Sequence, residues 1–231
     1  MGSQFDQYAK NYNQVVDSAL SATGEGKDYF ASARVRWVSE HLKRLGGSPK
    51  VLLDYGCGNG ADAELLISTL KLESLIGVDV SEKSIEEARR TAPAGAVFAT
   101  PFERLPREEA DIAYCCGVFH HIVPEERSAA LDYVWRSLKS GGVFTFFEHN
   151  PWNPGTRHIM ANCEFDQDAI TISPIEAVRL LRSAGFEIIG REFLFFFPRW
   201  LGIFRPLEPA LAKVPLGGQY VVMARKARKS G

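Results

Sequence analysis

Three groups of residues in this chain have types and spacings that can do chemistry. The stretch "LLDYGCGNGAD", residues 52–62, sets three glycines in five positions directly after a short apolar run. Glycine has no Cβ, so such a loop lets a ligand lie directly against the backbone. Read as Gly56-x-Gly58-x-x-Ala61, it fits a dinucleotide. Asp54 argues otherwise, because a carboxylate two residues ahead of Gly56 would repel a diphosphate. A sulfonium with an ammonium tail would be attracted there instead. Asp79, about twenty residues further on, can accept both hydroxyls of a ribose, which either kind of cofactor contains.

The third group is made of histidines. His120-His121 and Glu148-His149 stand at the ends of apolar runs. Histidine titrates near working pH, so it can take the proton of an alcohol or phenol whose neutral oxygen is a poor nucleophile. Any of His120, His121 and His149 could serve, and one ring of an adjacent pair should point into the fold. "EHNPWNPGTRH", residues 148–158, sets Glu148, Asn150, Trp152 and Arg157 where an acceptor would lie. No H-x-x-x-H or comparable spacing accompanies these side chains, so no metal is expected.

These residues need elements to position them. Residues 28–45 carry Phe30, Val35, Val38, Leu42 and Leu45 near helical spacing, and Gly46-Gly47-Ser48-Pro49 ends that helix. "KVLLDYG", "LIGVDV", "AVFAT", "ADIAYCCGV", "GGVFTFFEH", "GFEIIGREFLFFF" and "YVVMARK" read as strands. Between several of them lie helices, one opened by Ser81-x-x-Ser84 and one by the capping box Ser173-Pro174-Ile175-Glu176. Strands alternating with helices predict an α/β, doubly wound, mostly parallel sheet. Its ligands should sit at the carboxyl ends of the strands, so all three groups should share one rim.

The ordered pieces "VLLDYGCGNG", "IGVDVSEKSIEEAR", "ATPFERLP", "ADIAYCCGVFHHI" and "LKSGGVFTFFE" resemble class I S-adenosylmethionine-dependent methyltransferases of the small-molecule type. That resemblance covers roughly residues 50–150 and the last two strands. It implies a Rossmann-like, seven-stranded sheet in the order 3-2-1-4-5-7-6, with the last strand antiparallel. It also implies S-adenosylmethionine as cofactor. Gly56 and Gly58 would then lie against its methionine part with Asp54 and Cys57 beside them, and Asp79 on its ribose. Val80, Pro101 and Phe102 would meet the adenine, with Cys116 on the same side. Pro101 departs from the pattern, since many members carry an aspartate there. Tyr8 and Tyr12 resemble an opening segment that lids the donor. Of the histidines, the resemblance favours His121 as the base.

The 231 residues suit one domain, with residues 1–45 as a helical lid and 150–173 and 196–219 as acceptor-side insertions. A net charge of −1 argues against nucleic acid as a partner. No run of 18 apolar residues is present, and "MGSQFDQYAKNYNQ" lacks the layout of a signal peptide, so a cytoplasmic protein is expected. The four cysteines include no C-x-x-C pair and read as free thiols. Residues 193–217 are strongly apolar, and Phe196 and Trp200 within them should line the acceptor entrance. A hydrophobic acceptor, a lipid-linked substrate with peripheral membrane contact, or a dimer face would each explain that stretch, so monomer and homodimer both stand. The basic end "RKARKSG" reads as a solvated tail. The leading expectation is methyl transfer to a small molecule at a hydroxyl oxygen, in glycan, lipid or natural-product biosynthesis. Transfer to nitrogen or carbon, a nicotinamide-dependent reductase, and a donor-binding protein without turnover are the competing readings. Asp54, Gly60 and the lack of a Y-x-x-x-K pair speak against the reductase.

Overall fold

The computed structural model describes residue 6, residues 12–166 and residues 168–227. Tyr8, the side chain of Tyr12 and residues 228–231 of the basic end lie outside the described residues.

Helices α1 (Tyr12–Leu20) and α2 (Lys27–Arg44) precede the sheet. Then β1 (Val51–Tyr55), α3 (Ala63–Leu70), β2 (Ser74–Val78), α4 (Glu82–Arg90) and β3 (Ala96–Ala99) form the first half. The second half runs β4 (Ala110–Cys116), α5 (Arg127–Ser137), β5 (Leu138–His149), α6 (Pro154–Ala161), α7 (Pro174–Ser183), β6 (Phe186–Leu194), α8 (Glu208–Leu211) and β7 (Gln219–Lys226). The sheet order is β3-β2-β1-β4-β5-β7-β6, and β7 runs antiparallel to both its neighbours. This is the order and the hand of pairing that the sequence motifs imply.

The central strands are largely apolar because both faces of the sheet are covered, whereas β6 at the edge alternates in exposure. Successive residues point to opposite faces, so Leu52 joins one core cluster and Leu53 the other. The Leu52 side packs under α2, α3 and α4 through Val35, Leu66 and Ile85. The Leu53 side packs under α5 and α7 through Leu131, Val134 and Leu181. Local capping signals act as expected: Ser81 Oγ accepts from Ser84 N at 3.1 Å, and Ser173 Oγ accepts from Glu176 N at 3.2 Å.

One strand is shorter than its apolar run suggests. β6 stops at Leu194 because Phe195 takes φ +65, a left-handed conformation that a bulky side chain adopts only when its surroundings impose it. The ring of Phe195 packs against Phe30 of α2, with centroids 4.9 Å apart. The chain then leaves the sheet as a 3-10 segment, Arg199–Leu207, before α8. The carboxyl ends of β1, β2, β4 and β5 bring the glycine loop, Asp79, His120-His121 and Glu148-His149 to one edge.

Candidate functional site

A cavity of ≈ 690 Å³ opens along that edge, and it is bordered at one end by the glycine loop and at the other by the histidines. Gly56 N and Cys57 N both donate to Val78 O, at 2.8 and 3.0 Å, which ties the loop to the end of β2. Asp79 finishes the tie: Oδ2 accepts from Gly58 N and Oδ1 from Ser81 N, both at 2.9 Å. It therefore fixes the loop and the start of α4 together, and each oxygen keeps a lone pair for a further donor.

The glycines are not equivalent. Gly56 and Gly58 both have positive φ, +79 and +53. A Cβ on Gly56 would come within 2.2 Å of Val118 Cγ2, whereas one on Gly58 would meet nothing within 4 Å. Gly56 is required by packing, and Gly58 leaves open ground in the cavity. Asp54 is buried at this end, and burial, then Asp62 and Asp79, raise its carboxyl well above the ordinary range. Asp62 is paired with Lys27 at 3.4 Å and approached by Arg34 at 4.0 Å, whereas Asp54 and Asp79 have no cationic side chain within ion-pair distance among the described residues, so a positive ligand group beside Asp54 would relieve its burial. Val80, Pro101 and Cys116 border the same cavity, and burial pushes the Cys116 thiol up to about 11, so it stays protonated. Phe102, expected beside Val80 and Pro101 at the adenine, sits differently. It is 88% exposed and lies outside the cavity lining, because the turn at residues 101–103 points its ring to solvent.

At the other end, the 3-10 turn Phe119–His121 carries two histidines with different surroundings. His120 is buried, with Nδ1 2.5 Å from Glu148 Oε2 and Nε2 3.4 Å from Asp166 Oδ1. Burial works against a charged ring, but the two carboxylates overcome it and hold His120 at about 10. Burial and the neighbouring His120 push His121 down to about 4, and the same two causes lower His149. All three rings border the cavity.

Four residues of the "EHNPWNPGTRH" stretch do not meet the cavity, which corrects their expected place against an acceptor. Glu148 is 1% exposed, and its Oε1 accepts from Phe119 N at 2.8 Å, so it anchors the histidine turn. Asn150 is fully buried, and its Nδ2 donates to Pro215 O and Gly217 O, which ties the end of β5 to the loop before β7. Trp152 lies on the outside near Phe193. Arg157 projects to solvent, because α6 turns Thr156 and Ile159 toward the cavity and helical geometry puts Arg157 on another face. Phe196 and Trp200 do border the mouth. Trp200 and Ile203 are 74% and 84% exposed, so the 3-10 segment is largely surface and not core.

The sequence reading missed Asp166, which a second 3-10 turn, Glu164–Asp166, brings against the histidines. No local pattern announces it, because its partners come from a different part of the chain. It also missed Arg34 on α2, which is buried under the cavity and donates to Tyr114 Oη at 3.1 Å and to Gln219 Oε1 at 3.3 Å.

Comparison with known proteins agrees with this geometry. Residues 52–142 match a family model described as a methyltransferase domain. A trans-aconitate 2-methyltransferase of Methylobacterium nodulans is 30% identical over 115 residues, which cover 49% of this chain and 44% of that protein. An uncharacterized methyltransferase of Synechocystis sp. is 28% identical over 159 residues, covering 65% and 74%. The chain thus spans less than half the length of the first of these relatives. Among solved structures, a putative methyltransferase in complex with the Haloferax volcanii Trm112 activator superposes with TM-score 0.66 at 16% identity, covering 99% of this chain and 100% of that one. A SAM-dependent methyltransferase from Archaeoglobus fulgidus gives 0.59 at 20% identity, covering 83% and 94%. Residues 52–142 thus match a methyltransferase domain, and the chain shares the fold of solved SAM-dependent methyltransferases. This similarity implies S-adenosylmethionine as the cofactor, and the residues present fit it: open space over Gly58, a carboxylate at the end of β2, and a buried Asp54 carboxyl that a cation would stabilise. Among the described residues, no helix is long and apolar enough to cross a membrane.

Proposed function

We propose that this protein transfers the methyl group of S-adenosylmethionine to an oxygen of a small, largely apolar acceptor held in the same cavity. The observation that carries the reading is continuity: one cavity reaches from Gly58 and Asp79 to His121, His149 and Phe196. When bound, the donor supplies a methyl group on a positively charged sulfur, ready for displacement. The chain's own residues do the rest. Gly58 leaves room for the donor against the backbone, Asp79 takes the ribose hydroxyls, and Asp54 complements the positive charge. Val80 and Pro101 pack on the base, with Cys57, Cys116 and the α1 segment containing Tyr12 around it.

On the acceptor side, Glu148 holds the His120 ring in place through a buried contact. Beside it, His121 and His149 offer ring nitrogens toward the acceptor oxygen and its proton. Phe196 and Trp200 give an apolar wall that excludes water and orients the acceptor. Alignment of this kind supplies several kcal/mol of the barrier reduction in reactions that join two bound molecules. A glycan carrier, a lipid or a natural product with a free hydroxyl would each suit such a wall. The fold alone does not name the reaction, since a structure described as a [4+2]-cyclase superposes with TM-score 0.65 at 20% identity.

Two measurements test the reading. Calorimetry should show one S-adenosylmethionine bound per chain and no binding of NADH. Incubation with S-adenosylmethionine and pooled acceptors should give S-adenosylhomocysteine and an acceptor heavier by one methyl group. Binding of NADH in place of S-adenosylmethionine would overturn the donor assignment, and donor binding with no product from any pool would favour a protein that binds without turnover.

A further inference from the structure

The histidine end of the cavity contains more than a base requires. His120, His121 and Asp166 each offer one ligating atom, and these atoms all lie within 4.8 Å of one another. Asp166 Oδ1 is 3.4 Å from His120 Nε2 and 3.4 Å from His121 Nε2. A hydrogen bond to nitrogen prefers about 2.7 to 3.2 Å, so these separations are long for direct pairing. Both separations from Asp166 fit a different geometry. A zinc-like ion binds nitrogen and oxygen at about 2.0 to 2.1 Å, and a tetrahedral shell of that radius sets its ligand atoms roughly 3.4 Å apart.

Two further observations point the same way. Asp166 is nine-tenths buried, and among the described residues its Oδ1 makes no hydrogen bond of ordinary length, meeting only the two ring nitrogens at 3.4 Å. A buried carboxylate oxygen held only by such long contacts gains from a partner placed between it and the rings. Then there is Glu148, which lies 2.5 Å from His120 Nδ1 and is itself held by Phe119 N–H. A carboxylate on the far nitrogen of a histidine is the arrangement that fixes the tautomer and aims the near nitrogen at a metal.

We propose that His120 Nε2, His121 Nε2 and Asp166 Oδ1 bind a divalent first-row transition metal of the zinc type at the acceptor end of the cavity. Two imidazoles and one carboxylate suit such an ion, and three protein ligands leave a position for a substrate oxygen. Because all three residues border the cavity, that position belongs to the acceptor. The role of the metal rests on the methyl-transfer reading, but its binding does not. Coordination acidifies a hydroxyl, as it does bound water. With His121 on the metal, the acceptor O–H bond passes its proton to His149, a histidine of the cavity that is not a ligand, the oxygen pair forms the new O–C bond, and the C–S bond electrons return to sulfur. The metal keeps its oxidation state throughout.

The test uses the full chain without an affinity tag, stripped with chelator and dialysed. Titration with Co²⁺, followed by visible absorption, and with Zn²⁺, followed by calorimetry, should show one ion per chain. Asp166→Asn and His121→Gln should each weaken binding by about a hundredfold or more, and Glu148→Gln by about 10- to 100-fold through loss of its hold on His120. Asp168→Asn, an exposed acid close in sequence, should bind as wild type. Circular dichroism and S-adenosylmethionine affinity are read on every sample. If Asp166→Asn does not fold, His121→Gln carries the test. Absence of stoichiometric binding by the wild type overturns the proposal, as does unchanged binding in the ligand variants, and neither touches the methyl-transfer reading. Metal binding without donor binding would leave the metal site standing and remove that reading.

Discussion

The pair Gly56→Ala and Gly58→Ala separates packing from ligand space within one loop. Both positions have positive φ, so an alanine at either pays about 1 to 2 kcal/mol for the left-handed conformation. At Gly58 nothing lies within 4 Å of the new methyl, and the cost to the fold ends there. For a domain of this size, 1 kcal/mol shifts Tm by about 2 to 4 °C, so Gly58→Ala should lose roughly 2 to 8 °C. At Gly56 the methyl lands 2.2 Å from Val118 Cγ2, and overpacking adds about 1 to 3 kcal/mol. Gly56→Ala should therefore lose roughly 4 to 20 °C. Donor binding should show the opposite emphasis at Gly58, where the methyl intrudes on ligand space. An intrusion costing about 1 to 3 kcal/mol lowers affinity about 5- to 150-fold. Thermal denaturation and calorimetry with S-adenosylmethionine read the two effects separately. If Gly58→Ala binds the donor as wild type does, or is the less stable of the two, the account of this loop is wrong.

Three other outcomes follow from the same geometry. Asp54→Asn should raise Tm at pH 7 while weakening S-adenosylmethionine about tenfold, because it removes a buried charge beside Asp62 and Asp79 but also the attraction for a cation. The folded carboxyl has a raised pKa, so its ionisation costs stability only above the unfolded value near 4; the Tm advantage of the variant should vanish by about pH 4, and an advantage that persists there would refute the argument. Arg34→Met should lower Tm by roughly 6 to 12 °C, since it strands the buried Tyr114 hydroxyl and breaks a buried charged contact worth about 3 kcal/mol, and a loss under about 2 °C would show that α2 is held otherwise. Trp200→Ser, at a largely exposed position, should leave Tm within about 2 °C and donor affinity unchanged while raising the acceptor KM; a fall in donor affinity would place Trp200 in the wrong half of the cavity.

Much of the fold was legible in the sequence because its determinants are local. The caps at Ser81 and Ser173 act within three residues, and the glycine loop carries its backbone requirements in its own composition. Apolar runs with helices between them were enough to place the loop, Asp79 and the histidines on one edge, since parallel strands all deliver their carboxyl ends to the same side. Even there, a run of apolar residues did not reveal where β6 ends, because the stop depends on Phe195 packing against a helix from the other end of the chain.

The chemistry of the acceptor end depended on contacts that leave no local trace. Glu148 and Asn150 sit among polar and aromatic neighbours in the sequence, yet the fold buries both and uses them as anchors. Phe102 is apolar and follows a strand, yet its turn leaves it in water. Asp166 reaches His120 and His121 only because α6 and its following turn fold back over the rim. The sequence alone determined which elements form and which edge carries the site, through short-range periodicity and backbone preference. Only the tertiary structure decided which side chains meet there, because burial and long-range approach depend on how separate elements pack and are encoded in no single stretch.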